Sequence, residues 1–151
     1  METNTEKNTA TFTHLSALTQ YFFPFGNYVF PIIIWASGKD KSEYVNFHGK
    51  QVLNFQLSLL LYSLILSAIA IPIFIFSVFN IIPFNDIMNG NDFVLENLSY
   101  GNITGIVVVG IIAVLLFIGL KLLEFFLILY ASIKASNGEK YKYPLTINFL
   151  K

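Results

Sequence analysis

The chain has 151 residues, of which 55% are hydrophobic, 17% aromatic and only 12% charged, against roughly a quarter charged in an ordinary soluble domain. Its apolar residues are gathered into long blocks, the mark of a chain that meets lipid. Nine basic residues, all lysine, balance nine acids, so no basic field exists to attract nucleic acid, and the absence of cysteine excludes disulfides, thiolate catalysis and Cys-ligated metal sites.

The opening METNTEKNTATFT carries Glu2, Glu6 and Lys7, unlike the positive start of a secretory signal, and residues 1–12 read as a flexible lead. From His14 to Ala36 an apolar block is broken by Pro24, Gly26 and Pro31. Two readings follow. His14 to Phe23 and Tyr28 to Ala36 form half-length helices of about 15 Å that dip into one leaflet as a hairpin, or the block is one kinked spanning helix. Two prolines and a glycine so close together favour the hairpin. Lys39, Asp40, Lys41 and Glu43 then form a solvated turn, with Ser42 placed to cap the next helix.

Val52 to Phe79 runs without a charge and, at about 1.5 Å per residue, exceeds the roughly 30 Å hydrocarbon core of a bilayer, so it is expected to span, with a kink at Pro72. The connection 80–102 holds Asp86, Asp92 and Glu96 but no lysine. Its triplets Asn97-Leu98-Ser99 and Asn102-Ile103-Thr104 match the glycosylation pattern by chance on this reading. A second spanning helix runs from near Ile103 to Ile133, with Lys121 and Glu124 as its only charges; Gly101, Gly105, Gly110 and Gly119 would let another helix approach closely. Asn137-Gly138 stops it. The tail 137–151 carries aromatic and basic residues suited to the headgroup layer, and its alternating YKYPLTINFL could pair as a strand or lie along the hairpin.

Lysines cluster in the 37–51 linker (Lys39, Lys41, Lys50) and in the tail, which places both on the cytoplasmic side and the acidic connection outside. The expected fold class is therefore an all-α polytopic helical membrane protein, a single domain over 1–151 with two long transmembrane helices and a Pro/Gly-broken N-terminal hairpin or kinked helix.

HLSAL, PFGNYVFPIIIWASGKDKSEYVNFHGKQVLNFQ and ASNGEKYKYPLTINFLK together resemble the bacterial membrane proteins of the domain of unknown function 4870 family, formerly grouped with the twenty-kilodalton component of the chloroplast inner-envelope translocon. The resemblance covers nearly the whole chain apart from the first dozen residues and the acidic connection. It implies a helical protein of the bacterial inner membrane with no established activity, and only a distant analogy to protein translocation.

At 100° per residue His48, Gln51, Asn54, Phe55, Ser58 and Tyr62 share about a third of a helix circumference, forming a polar stripe that lipid cannot satisfy. Lys121 and Glu124, three residues apart, can pair on one helix face. His48, Gln51, Asn54, Ser58, Tyr62, Lys121 and Glu124 are thus the candidate intramembrane cluster. Either they lock helices together, or they line an ion or proton path with Glu124 as the titrating group. Lys39, Lys41, Lys50, Lys140, Tyr141, Lys142 and Tyr143 form a candidate cytoplasmic interface.

His14 and His48 are the only histidines, too few to suggest a metal site, and no residue pattern points to a cofactor or to catalysis. The expected function is a non-enzymatic accessory, assembly or interaction subunit of a membrane complex. Its partners would be the lipid bilayer and another membrane protein, or itself as a homo-oligomer. The alternative is a transport, channel or protein-translocation component with a polar path near Glu124.

Overall fold

The computed structural model describes residues 2–81 and 100–151, with side chains described for 2–76, 105 and 107–151. Most of the acidic connection, including Asp86, Asp92 and Glu96, lies outside the described residues, as do the side chains of both glycosylation triplets. The described residues form four α-helices and one 3-10 turn: α1 (Asn4–Ser16), the 3-10 turn Ala17–Tyr21, α2 (Gly26–Gly38), α3 (Glu43–Ile81) and α4 (Tyr100–Ser136). No strand occurs among them.

The segment expected to be a flexible lead is instead most of α1. Thr3 caps the helix through its hydroxyl, which accepts from the Glu6 amide, while the Glu6 carboxylate accepts from the Thr3 amide at 2.7 Å. This reciprocal box satisfies two of the donors that a helix start leaves open. Bonds from the Thr3 backbone, and then from the Ser42 and Thr3 hydroxyls, hold the Glu6 carboxyl below its ordinary range. Ala10, Thr13, His14 and Ala17 are all buried and fall at i, i+3, i+4 and i+7, so α1 is held by one face of small and polar side chains.

The Pro/Gly break ends the 3-10 turn and starts α2. Phe25 sits in the left-handed region at φ 61°, which is uncommon for an aromatic residue. A Cβ on Gly26 would fall 2.8 Å from the Thr19 backbone, so only glycine permits this close return of the chain. α1 and α2 pack against each other. α2, 13 residues long, is about 20 Å and too short to cross the bilayer. The kinked spanning helix is thereby replaced by two short, packed helices.

Ser42 caps α3, its hydroxyl accepting from the Val45 amide at 3.3 Å, and α3 continues through Pro72 without ending. α4 stops in a Schellman motif: Glu139 N–H donates to the Lys134 carbonyl, Gly138 N–H to the Ala135 carbonyl, and Gly138 takes φ +83°. α3 and α4 are both long and apolar enough to cross a membrane.

The chain divides into two compact units, Met1–Leu61 with Leu120–Lys151, and Tyr62–Gly119. The first is built around Ala17, Val52, Phe55, Ile128, Ala131 and Tyr143, with a second small core of Ala10, Tyr44 and Ala135. In the second, Leu64, Ile65, Ile69, Phe74, Phe76, Ile111, Leu115 and Phe117 are exposed, as lipid-facing side chains are. Each of the two helical stretches described in it is about 20 residues, on the order of the 30 Å hydrocarbon thickness.

Candidate functional site

Three polar clusters occupy the first unit, and each joins segments far apart in sequence. α3 presents His48 toward α1. His14 Nε2 lies 2.8 Å from His48 Nδ1, and His14 Nδ1 lies 2.8 Å from the Tyr143 hydroxyl of the tail. Both histidines are fully buried and Tyr143 is 4% exposed, its ring stacked on Phe55 at 4.1 Å and 4°. Burial, then the neighbouring His48, pushes His14 well below the ordinary 6.5, while burial above all pushes the Tyr143 hydroxyl well above 10.0. The two contacts are coupled through the His14 tautomer: with Tyr143 O–H donating to His14 Nδ1, His14 Nε2–H donates to His48 Nδ1, and in the other tautomer both bonds reverse. The backbone of Glu139 lies beside the His48 ring, without a hydrogen bond of good geometry to Nε2.

Glu124 is the centre of the second cluster. Its side chain is 1% exposed, and Lys121 Nζ donates to Oε2 at 2.8 Å. Gln20, from the 3-10 turn, donates to Oε1 at 2.8 Å and accepts from Lys121 at 3.2 Å. The three groups close a ring in which both carboxylate oxygens are engaged. That closure offsets the cost of burying the charge.

In the third cluster α3 clasps the tail. Asn54 Oδ1 accepts from the amides of Phe149 and Leu150 at 3.1 and 2.8 Å, and its Nδ2 donates to the Leu150 carbonyl at 3.0 Å. Ser58 Oγ accepts from the Ile147 amide at 2.8 Å and donates to the Asn54 carbonyl. Lys50 Nζ reaches the Lys151 carbonyl at 2.7 Å. The stripe thus gives the irregular tail the backbone partners a strand neighbour would have supplied. The described tail forms no strand; it runs against α3 and also touches α1, through Tyr143 on His14.

Of the expected cluster, His48, Gln51, Asn54, Ser58, Lys121 and Glu124 all lie in the first unit, and Tyr62 belongs to the second. Asn54 and Ser58 face the tail, while Lys121 and Glu124 close on Gln20. Of the expected interface, Tyr143 is core and Tyr141 is half-buried, its ring edge-on to Tyr130 and Tyr143. Lys140 pairs with Glu43 at 3.0 Å and lies over Phe47. Lys39 lies over Trp35, and Lys41 and Lys142 are exposed.

His14, Gln20, Asn27 and Gln56 complete the network without having been expected in it: Asn27 Nδ2 donates to Gln56 Oε1 at 2.7 Å. Gln20 and Asn27 flank the Pro/Gly break, where isolated amides in an apolar block were the available signal. Among the described residues no group of three or more His, Asp or Glu side chains is placed to hold a metal ion.

Two long apolar helices, joined in sequence to a unit clasped by buried polar side chains, define a small helical membrane protein. The chain matches the MamF/MmsF magnetosome magnetite crystal formation protein family over residues 5–150, and it belongs to that family. No curated protein and no solved structure matches it. The family match corrects the resemblance to domain of unknown function 4870 and to the chloroplast translocon component. The stretches behind that resemblance supply His14, Gly26, Asn27, Gly49 and Asn54, which pack α1, α2 and the tail onto α3. Packing residues of this kind report a fold more than a function.

Proposed function

We propose that the protein is a non-enzymatic accessory subunit that organises a complex within a membrane of the kind its family name describes, one in which magnetite crystals form. The 37–51 linker and the tail lie on the cytoplasmic side of a bacterial inner membrane or one derived from it, as their lysines favour. The α1–α2 pair rests in that leaflet, a placement supported by Phe22, Phe23 and Phe25 at its turn, which are 81%, 60% and 73% exposed. The observation that carries this reading is the closure of the polar clusters. Glu124, Asn54 and Ser58 have their hydrogen-bonding groups taken up by other parts of the same chain.

A residue whose work is to hold the unit together is poorly placed to conduct ions or to enter chemistry, so the same closure weighs against a path through Glu124. Gentle extraction from the native membrane, followed by mass spectrometry of the intact particle, tests the reading. A foreign membrane protein at fixed ratio is the expected outcome. A homo-oligomer alone, whose ion flux in liposomes changes in Glu124→Gln while the fold persists, would replace the accessory role with transport.

A further inference from the structure

Where the tail crosses α3 it leaves a groove of about 360 Å3, within the roughly 300–1,000 Å3 range of small-ligand sites. Lys50, Lys142 and Lys151 line it, and no acidic side chain does. The two nearest acids in sequence are engaged elsewhere, Glu43 by Lys140 and Glu139 by Lys134. Three lysines lining one concavity give it a positive character that favours an anion.

The groove also carries neutral hydrogen-bonding groups. Gln51 is 9% exposed, lines the groove and has no side-chain partner among the described residues; Thr146 and Asn148 stand opposite on the tail. Lys50 is held by the Lys151 carbonyl at 2.7 Å, which fixes one ammonium at the wall. Compact ammonium charges together with amide and hydroxyl groups suit a phosphate group, which accepts from several donors at once. Phe47 and Leu150 give part of the lining an apolar character, which fits a phosphate that carries an organic substituent.

We infer that this groove binds a phosphate-bearing ligand, and that its source is the headgroup of an anionic phospholipid. The position along α3 supports that source. Lys50 and Asn54 precede Leu60, where the exposed apolar side chains of α3 begin, by about 9–15 Å, within reach of the headgroup layer for a long lysine side chain. The inference goes beyond the accessory role and stands whether or not a protein partner exists.

The test uses the full chain in detergent, offered equal amounts of phosphatidylglycerol and phosphatidylcholine, with retained lipid read by native mass spectrometry. About a tenfold preference for phosphatidylglycerol is expected, and Lys50→Gln/Lys142→Gln erases it. The control Lys39→Gln/Lys41→Gln, which removes the same charge outside the groove, keeps it. Lys142→Gln alone, at an exposed side chain, lowers the preference even if the double variant fails to fold. In a parallel arm inorganic phosphate is added while thermal unfolding is followed. Stabilisation by phosphate that the groove variants lose, without lipid preference, assigns the same site to a soluble phosphate and overturns the lipid source. Equal retention of both lipids with no response to phosphate, or a preference that the Lys39/Lys41 control loses equally, overturns the site.

Discussion

Within α3, His48, Asn54 and Ser58 are 0%, 1% and 0% exposed, whereas Leu64, Ile69 and Phe76 further along the same helix are 58%, 58% and 71% exposed. The first set belongs to the unit that includes α1, α2 and the tail, the second to the unit of Tyr62–Gly119. In water both patterns would be upside down. They make sense where lipid receives the apolar side chains and cannot satisfy a polar one, so that polar side chains turn inward and pair with other parts of the chain. One helix therefore carries two codes, and the boundary between them is readable as the point where buried polar residues give way to exposed aliphatic ones.

The largest expected effect breaks the polar unit at its charge. Lys121→Met removes the ammonium while keeping the stem, and leaves the Glu124 carboxylate buried with Gln20 as its one hydrogen-bond partner among the described residues. A loss of about 2–3 kcal/mol is expected, below the roughly 3–5 kcal/mol for breaking a fully buried pair because Lys121 is 40% exposed. Glu124→Gln, which can keep the Gln20 bond, loses less. Unfolding in detergent by denaturant compares the two, and equal small losses would mean that the pair contributes little.

Glycines sharpen the contrast. A Cβ on Gly49 would overlap the Trp35 side chain, whereas Gly105, Gly110 and Gly119 have nothing within 4 Å. Gly49→Ala should lower stability by about 1–3 kcal/mol through overpacking. Gly110→Ala should be neutral or stabilising by up to about 1 kcal/mol. Thermal unfolding of both variants checks this, and a destabilised Gly110→Ala would reveal a second helix seated on that face in the assembled protein.

Acid has a smaller, graded effect on the polar unit alone. Because His14 is buried neutral, its folded-state pKa lies below the unfolded value near 6.5. The unfolded chain thus takes up the proton first. Stability is full above that value and falls as pH drops below it, by no more than about 1.4 kcal/mol per pH unit for a single group. Unfolding midpoints at pH 7.5 and 5.5 should differ in the wild type and differ less in His14→Phe, which leaves His48 as the one buried histidine. A slope unchanged in that variant would move the titration to another group.

Much of the apolar unit was legible in the sequence because an uncharged run long enough to span lipid admits few readings. Ser42 as a cap and Gly138 as a stop were legible for an equally local reason, since caps involve neighbours in sequence. α1 was not. Its buried face is Ala10, Thr13 and His14, continued by Ala17 of the 3-10 turn, with no large apolar residue to announce helical periodicity, and its stability comes from what it packs against. The polar stripe was visible as a stripe, but its partners were not: Asn54 and Ser58 meet residues 147–150, and periodicity within one helix says nothing about which distant segment covers it. Glu124 could be paired with Lys121 by spacing alone, while Gln20 became its partner only through the 3-10 turn.

The central claim is that the stripe on α3 is a clasp for the chain's own tail. Amide hydrogen exchange of the full chain in lipid nanodiscs, wild type against Asn54→Ala, tests it most directly. The account predicts that the amides of Ile147, Phe149 and Leu150 are protected in the wild type, that Phe149 and Leu150 lose protection in the variant, and that exchange within Tyr62–Gly119 stays unchanged. Tail amides that exchange freely in the wild type, or that keep their protection without Asn54, would contradict it.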